Sequence, residues 1–256
     1  QGITLQEPAG AVNESGLALN TAEGPTSDVR VRRALSLGTD RQGVIDTVLF
    51  GYGEIGTKIS CGKVPYGWCD GVDAPLPYHD YDPEAAKKLL AEAGYPDGLE
   101  LTMQVSLPLD IQTAEILQEQ WQKIGVDLEI EQIADFNQQL DNYINVKHQL
   151  SIVSLVWQPD PHSDVYQIYY STSSINLGKF VDSELDALLD AGKMELDITN
   201  RIKIYKDVQR LIADQVYMLY PFTKPVNWQF IKDHVKNYKA MPSGSYQYLR
   251  SLWLDK

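Results

Sequence analysis

The middle of the chain alternates between two spacings of hydrophobic residues. Residues 99–105 and 126–133 alternate apolar and polar positions, as half-buried strands do, and residues 150–157 are an almost continuous apolar run typical of a buried strand. Between these strands, residues 111–125 and 136–144 place apolar side chains at helical spacing. Three strands joined by two helices predict a β-α-β-α-β unit. Because such crossovers are right-handed, the unit predicts a parallel sheet with helices over its faces.

Helical spacing also occurs on both sides of this unit. Asp28 and Asp82 are suitable N-cap residues, and Gly38 and Gly94 are suitable ends for the helices that they begin. Outside the unit, the pattern predicts helices at 28–38, 40–51, 82–94, 183–194 and 200–213, and a strand at 216–222. A weaker tail of turns follows. The chain is therefore expected to be an α/β protein.

Two stretches lack a clear period. Residues 1–27 are rich in Gly, Ala, Asn, Thr and Ser, and we interpret them as a linker-like or crossing segment rather than a core element, with one short alternating piece at 17–19. Residues 51–79 are expected to form a long loop, a type that is usually functional or braced. Its cysteines, Cys61 and Cys69, are close enough for a disulfide, which the loop-entropy model values at about 2 to 3 kcal/mol. A disulfide would indicate an oxidising compartment, and two unpaired thiols are the alternative.

The composition is that of a soluble globular protein large enough to bury a full core. The chain has 256 residues, of which 43% are hydrophobic and 22% charged, and its formal net charge is −13. This acidity, without a basic cluster, argues against a nucleic-acid-binding surface. No apolar stretch approaches the roughly 20 residues that span a bilayer. The N-terminus lacks the features of a signal peptide, although the sequence could be a processed or truncated piece of a secreted protein.

The predicted strand at 150–157 ends in an unusual group of residues. Trp157 and Asp160 stand where that strand should end, and His162 and Asp164 follow. Ligands of open parallel sheets bind beyond the carboxyl ends of the strands. An indole face beside a partly desolvated carboxylate is suited to a small cationic or amphipathic ligand. The alternative is a turn in which Asp160 and Asp164 cap the following helix.

The sequence lacks the usual signatures of catalysis. It contains no G-x-S-x-G, H-E-x-x-H or G-x-x-x-x-G-K-[ST] motif, and its four histidines are scattered. His162 beside Asp160 and Asp164 is a weak candidate for a metal site, and we expect neither a metal nor a cofactor. A hydrolase that uses Asp160 and Asp164 as acid and base is the enzymatic alternative.

Several long segments resemble a known family. "LALNTAEGPTSDVRVRRALSLGTDR" (17–41) is similar to the N-T…P…D-x-R-V-R-x-A-L-x-x-x-x-D-R block of the dipeptide, oligopeptide and nickel-type solute-binding proteins of ABC importers. "YDPEAAKKLLAEAGYPDGLELTMQV" (81–105) resembles a second block of that family nearly residue for residue. "LQEQWQKIGVDLEIEQI" and "FVDSELDALLDAG" continue the correspondence in the same order.

This resemblance implies a fold and a division of the chain. The fold is a periplasmic-binding-protein type II-like lobe, with a mixed, largely parallel sheet flanked by helices. Because family members are typically far longer, the chain resembles their C-terminal half. Residues 1–24 are then expected to be a hinge or first-lobe remnant, residues 25–228 the ligand-binding second lobe, and residues 229–256 a segment that returns toward the first lobe. A missing leader and lipid anchor would reflect truncation.

The resemblance also implies a binding site. Peptide-binding members carry W-x-x-D at the strand end, and the aspartate pairs with the α-ammonium of the peptide. Trp157, Gln158 and Asp160 match that motif, with Trp157 as a wall. Tyr166 and Asn176 are expected to line the same wall. In a second version of the site an arginine precedes the aspartate, and this chain has Gln158 and a proline in that place.

The function implied is binding without chemistry. A two-lobed clamp would close over an extended peptide in the cleft between its lobes and deliver it to ABC permease subunits in the membrane. The protein is then expected to be a periplasmic or anchored extracellular lipoprotein and a monomer, with no nucleic-acid partner and no enzymatic activity. A nickel chelate, haem or an oligosaccharide bound by the same fold is the alternative.

Overall fold

The structure of the chain is a computed structural model that describes residues 2–6, 12–56, 76–156, 160–225, 229–238 and 252–255. Its strands are β1 (Ile3–Gln6), β2 (Val12–Leu19), β3 (Leu99–Val105), β4 (Val126–Gln132), β5 (Leu150–Val156), β6 (Met218–Pro225), β7 (Gln229–Lys232), β8 (Val235–Lys236) and β9 (Trp253–Leu254). Its helices are α1 (Val29–Leu37), α2 (Arg41–Val48), α3 (Pro83–Glu92), α4 (Pro108–Gln122), α5 (Phe136–Ile144), α6 (Pro161–Tyr169), α7 (Ser183–Met194) and α8 (Ile198–Gln215).

The main sheet has the strand order β4-β3-β5-β2-β6 among the described residues. β3 pairs in parallel with β4 and with β5, which confirms the predicted β-α-β-α-β unit. β2 runs antiparallel to β5 and to β6, so β6 points the same way as β3, β4 and β5. The sheet is therefore mixed and largely parallel, as expected. No helix in the described parts of the chain is long and apolar enough to cross a membrane.

Helices cover both faces of this sheet. One apolar cluster joins α1 to α4 with the sheet residues Leu17, Leu19 and Ile152. A second cluster joins α5 to α8 with Ala18 and Val153 on the opposite face. Neighbouring residues of one strand point to opposite faces, so β2 and β5 each contribute to both clusters.

The interpretation of residues 1–27 as lacking a core element is wrong for β2. This strand lies inside the sheet between β5 and β6, and Leu17, Ala18 and Leu19 are completely buried. The sequence hides the strand because "VNESGLAL" has three successive polar residues after its first valine and contains a glycine, both of which weaken a strand pattern. Pairing on both edges and burial on both faces outweigh that local preference. The proposed domain boundaries at 24 and 228 stay predictions.

Several helices begin with an aspartate cap, and two of these caps, Asp28 and Asp82, were predicted. The carboxylates of Asp28, Asp40 and Asp82 accept hydrogen bonds from the backbone N–H groups of their first helical turns. These bonds satisfy N–H groups that have no partner within the helix. The strand predicted from 216 begins two residues later, because Val216 takes the left-handed conformation, with φ at 45°, and ends α8.

The strand before β2 and the strand after β6 form a separate pair. β1 precedes β2, and β7 follows β6, and these outer strands pair with each other in antiparallel register from Ile3 with Lys232 to Gln6 with Gln229. Two chain passages therefore run out from the same end of neighbouring strands. Cys61 and Cys69 lie outside the described residues, so their disulfide stays a prediction.

Candidate functional site

The parallel strands place their carboxyl ends along one edge of the sheet, which we call the carboxyl edge. β3, β4, β5 and β6 all end there. The start of β2 lies at the same edge, because Asn13 is opposite both Val156 of β5 and Lys224 of β6. The turn between α7 and α8 also lies there, since α8 runs back from this edge to the start of β6. Ligands of such sheets bind at this edge.

Asp160 lies at the carboxyl edge, just beyond β5, and begins α6. Its Oδ1 accepts a hydrogen bond from the backbone N–H of His162 at 2.9 Å, which makes it the N-cap of the helix. The alternative reading of Asp160 as a helix cap is therefore confirmed.

Asp160 also forms an ion pair that the sequence did not predict. Arg201, in the first turn of α8, donates from Nη1 to Oδ2 at 2.7 Å and from Nη2 to Oδ1 at 2.9 Å. Such two-pronged pairing is the strongest arrangement available to a guanidinium and a carboxylate. Asp160 was expected to offer its carboxylate to a cationic ligand, but both of its oxygens already have a cationic partner within the protein. Its contact with a ligand stays a prediction.

The electrostatics follow from this contact. Burial alone would raise the pKa of the Asp160 carboxyl, but the hydrogen bonds and charge of Arg201, with N–H groups of the first turn of α6, outweigh burial and lower it. The hydrogen bonds to Asp160 raise the pKa of Arg201. The Asp160 side chain is 45% exposed and that of Arg201 only 17%. The pair is therefore ionised and is open to the carboxyl edge through its acidic member.

Arg201 joins three helices. In addition to the cap of α6, it donates from Nε to the backbone oxygen of Gly192 near the end of α7, at 2.8 Å. Its guanidinium carbon lies 5.3 Å from the ring centre of Tyr205, one helical turn along α8. These contacts leave the side chain little freedom. No local motif marks Arg201 in the sequence, and only a search for a cation able to reach Asp160 could have suggested it.

Tyr166 lies on α6 between two other aromatic rings, tilted against His162 and stacked on Tyr170. Its ring centre is 4.6 Å from that of His162 and 4.4 Å from that of Tyr170, as expected for residues four positions apart in a helix. The ammonium of Lys193 lies 5.6 Å from the Tyr166 ring centre, and the Tyr170 hydroxyl donates to Asp190 at 3.1 Å. The structure thus places Tyr166 one turn inside the carboxyl edge, against the end of α7.

Asn176 is not at an open surface. It is 1% exposed, and its Nδ2 donates to the backbone oxygen of Phe180 at 2.7 Å and to that of Ser171 at 3.4 Å. These bonds close the loop between α6 and α7. The structure therefore separates Asn176 from Asp160, which it was expected to accompany. Trp157 and Gln158 lie outside the described residues.

Comparison with known proteins identifies the family. Residues 6–177 match the model described as "Bacterial extracellular solute-binding proteins, family 5 Middle". The chain belongs to this family. This confirms the resemblance to solute-binding proteins that the sequence blocks indicate.

Relatives of this family 5 chain bind different ligands. It is 29% identical to heme-binding protein A of Haemophilus influenzae over 94% of this chain and 44% of that protein. It is 26% identical to di/tripeptide-binding protein 1 of Pseudomonas aeruginosa over 94% of this chain and 45% of that protein. The oligopeptide-binding protein AppA of Bacillus subtilis, solved with a nonapeptide, superposes with a TM-score of 0.83 at 22% identity, covering 100% of this chain and 52% of that one.

The comparisons have two consequences for this chain. The superposition confirms the expected fold. The chain spans about half the length of the relatives that it matches. Where such a relative forms a site between two halves, this chain therefore corresponds to one of those halves.

The carboxyl edge also carries exposed apolar side chains. In the turn between α7 and α8, Leu196 is 97% exposed and Met194 is largely exposed, although both are large and apolar. Leu107 after β3 and Phe136 after β4 are half exposed at the same edge. Exposed apolar groups at this edge would be available to a ligand or to another protein surface.

An open cavity of about 630 Å³ lies at the opposite edge of the sheet. It is lined by residues that precede or begin β3 and β4, among them Asp97, Glu100 and Asp127. This is the amino end of the parallel strands, whereas ligands of this sheet type bind beyond the carboxyl ends. We therefore place the candidate site at the carboxyl edge.

Proposed function

We propose that this chain is part of the substrate-binding component of an ABC importer, and that the component captures peptides and delivers them to membrane permease subunits. Membership of family 5 carries this proposal. Relatives named as dipeptide-binding or di/tripeptide-binding proteins support the peptide class. The fold supports it as well, because its superposed relatives include one solved with a bound nonapeptide.

The carboxyl edge is the wall of the cleft in this proposal. β1 and β7 extend from the neighbouring strands β2 and β6 at that edge, so a second lobe connected through them would lie across it. A peptide between the lobes would be extended and would bind mainly through its backbone, which allows many sequences. The exposed apolar groups at the edge would contact peptide side chains or the opposite lobe.

The same proposal covers location and activity. We expect the protein to act in the periplasm or at the outer cell surface, as a monomer that contacts its permease and no nucleic acid. A lipid anchor and the disulfide between Cys61 and Cys69 belong to this expectation. We expect no enzymatic activity. Asp160 supports this, since a carboxyl group with a lowered pKa and two bonds to Arg201 is a poor general acid at neutral pH.

Haem is the second candidate ligand. One specific observation favours it, the 29% identity with heme-binding protein A over 94% of this chain. A flat apolar ligand would use aromatic side chains rather than backbone hydrogen bonds. The two candidate ligands would therefore contact different groups of the carboxyl edge.

Calorimetry on the full-length protein separates these candidates. Di- to pentapeptides, haem and oligosaccharides would be titrated under the same buffer conditions. We expect peptides to bind in the micromolar range and to compete with one another for one site. Binding of haem or an oligosaccharide, with no peptide bound, would refute the peptide assignment.

A further inference from the structure

We propose that Arg201 sets the charge preference of the carboxyl-edge site, by holding both oxygens of Asp160 and so removing the free negative charge that would select ligands with an ammonium group. The proposal rests on the proposed function for the peptide class of ligand. It departs from the role that family resemblance implies for Asp160. Under this proposal the aspartate shapes the site, and its charge is not the anchor.

The hydrogen-bond geometry supports this inference. An ionised carboxylate has about four acceptor positions. At least three bonds to Asp160 are made within the protein, two from Arg201 and one from the N–H of His162. A ligand could add one bond at most, to a carboxylate whose charge is already compensated. Such a contact provides position but little preference for a cation.

Arg201 is fixed in a way that a surface cation is not. It is largely buried, and its Nε donor is bonded to Gly192, so that turning away from Asp160 would break three hydrogen bonds together. By contrast, Lys88 and Glu92 on α3 approach only to 3.9 Å and both are largely exposed. A ligand ammonium can displace a partner of that second kind easily. It cannot displace Arg201 without disturbing α7 and α8.

The charged residues that act on His162, beside the ion pair, are balanced in sign. His162, the residue next to the ion pair, experiences the fields of Asp160, Asp190, Lys193 and Arg201. Two of these are acidic and two are basic, so their formal charges cancel. The Asp190 carboxylate is in addition bonded to the hydroxyl of Tyr170. An ammonium group that approaches α6 therefore meets no net negative charge from these residues.

The quantity that tests the proposal is a ratio of affinities. For each variant of the full-length protein, calorimetry would compare a tripeptide with the same tripeptide acetylated at its N-terminus. A free carboxylate that binds an ammonium would favour the unmodified peptide by roughly ten- to a hundredfold. The ratio would be measured in the wild type, Asp160→Asn, Arg201→Gln and the double variant. Arg201→Lys, which keeps the positive charge, is the matched control.

We expect Asp160→Asn to change this ratio by less than about threefold when Arg201 is present. In the Arg201→Gln background, where the carboxylate is free, we expect Asp160 to raise the ratio about tenfold or more. Arg201→Lys should stay close to the wild type. A drop of tenfold or more caused by Asp160→Asn alone would overturn the proposal, and so would an equal ratio with and without Asp160 in the Arg201→Gln background.

Circular dichroism and an NMR titration cover the cases in which a variant does not fold or no peptide binds. Circular dichroism would show whether each variant is folded, and if Arg201→Gln is not, the comparison of wild type with Asp160→Asn decides alone. If no peptide binds the wild type, the proposed function fails. The charge state would then be tested separately by NMR titration of the Asp160 carboxyl carbon in the wild type and in Arg201→Lys. A pKa at or above the ordinary 3.8 in the wild type would refute the fixed ion pair.

Discussion

At the scale of single residues, two largely buried arginines each form hydrogen bonds to several elements of the fold. Arg41 is 3% exposed, and it donates to the backbone oxygens of Ser36, His79 and Tyr220. Burial lowers its pKa to about 10, so the group remains protonated at neutral pH. One side chain thus fixes the end of α1, the segment before α3 and strand β6 relative to one another. Arg201 does the same for α6, α7 and α8.

Replacing Arg41 should show how much this arrangement contributes. We expect Arg41→Met to lower the free energy of unfolding by about 3 kcal/mol, because several buried carbonyl oxygens lose their donor. The matched control is Arg30→Met. Arg30 is exposed and pairs with Asp28 at the surface, where the loss should be below about 1 kcal/mol. Urea unfolding followed by circular dichroism measures both values, and equal losses would contradict the assignment.

The ion pair at the carboxyl edge should appear in the pH dependence of stability. The pKa of Asp160 is lower in the folded chain than its ordinary value of 3.8, so the stabilisation is fully present above that value and is lost as the pH falls through the folded-state pKa. We expect the difference in stability between wild type and Asp160→Asn to be constant from about pH 5 to 7 and to shrink below about pH 4.

Urea midpoints between pH 2.5 and 7, on the order of ten values, would check this dependence. Glu115→Gln, which removes an exposed acid from α4, controls for the loss of one negative charge. A wild-type advantage that is unchanged at the lowest pH would show that Asp160 stabilises the fold in some way other than through its charge.

The sequence predicted Asp160 and its possible role as a helix cap, but it did not predict the ion pair with Arg201. Capping depends on residues two positions apart, and an Asp before a helix is visible in the chain. Arg201 is 41 positions away and reaches Asp160 only because α8 packs beside α6 and α7. The charge state of the site therefore could not be predicted from spacing alone. The burial of Asn176 could not be predicted for the same reason, because it depends on how the loop between α6 and α7 closes.

At the scale of elements, predictions succeeded where one period dominates a segment. β3 and α7 have the predicted bounds, because seven alternating residues and twelve residues at helical spacing leave little choice. α8 extends two residues beyond its prediction at both ends, where caps decide the limits. β2 was missed because its strand character comes from neighbours on both sides rather than from its own pattern.

The central position of β2 predicts a large cost for truncating it. Leu17 is completely buried and packs between the sheet and the helices α1 to α4. We expect Leu17→Ala to lower the free energy of unfolding by about 3 to 4 kcal/mol, through lost burial and the cavity that remains. Ile3→Ala, on the exposed strand β1, should cost less than about 0.5 kcal/mol. Comparable costs in chemical denaturation would mean that β2 is not a core strand.

At the scale of the whole molecule, the two apolar clusters share their central strands. β2 and β5 send alternate residues into the cluster under α1 to α4 and into the cluster under α5 to α8. The two faces therefore cannot lose their packing independently. The carboxyl edge, by contrast, has exposed apolar groups, among them Leu196 and Phe136. A stable core with one open edge is the expected form of a single wall of a cleft.

This architecture predicts that the isolated chain folds but binds peptides poorly. The full-length protein is expected to enclose a peptide on two sides, whereas this chain offers one. If a micromolar complex of about 8 kcal/mol loses half of its favourable free energy, about 4 kcal/mol remains, which corresponds to millimolar binding. Circular dichroism would first establish that the chain is folded, and calorimetry would then compare it with the full-length protein for the same tripeptide. Equal affinities would place the whole site on this chain, and the cleft would then not be needed for binding.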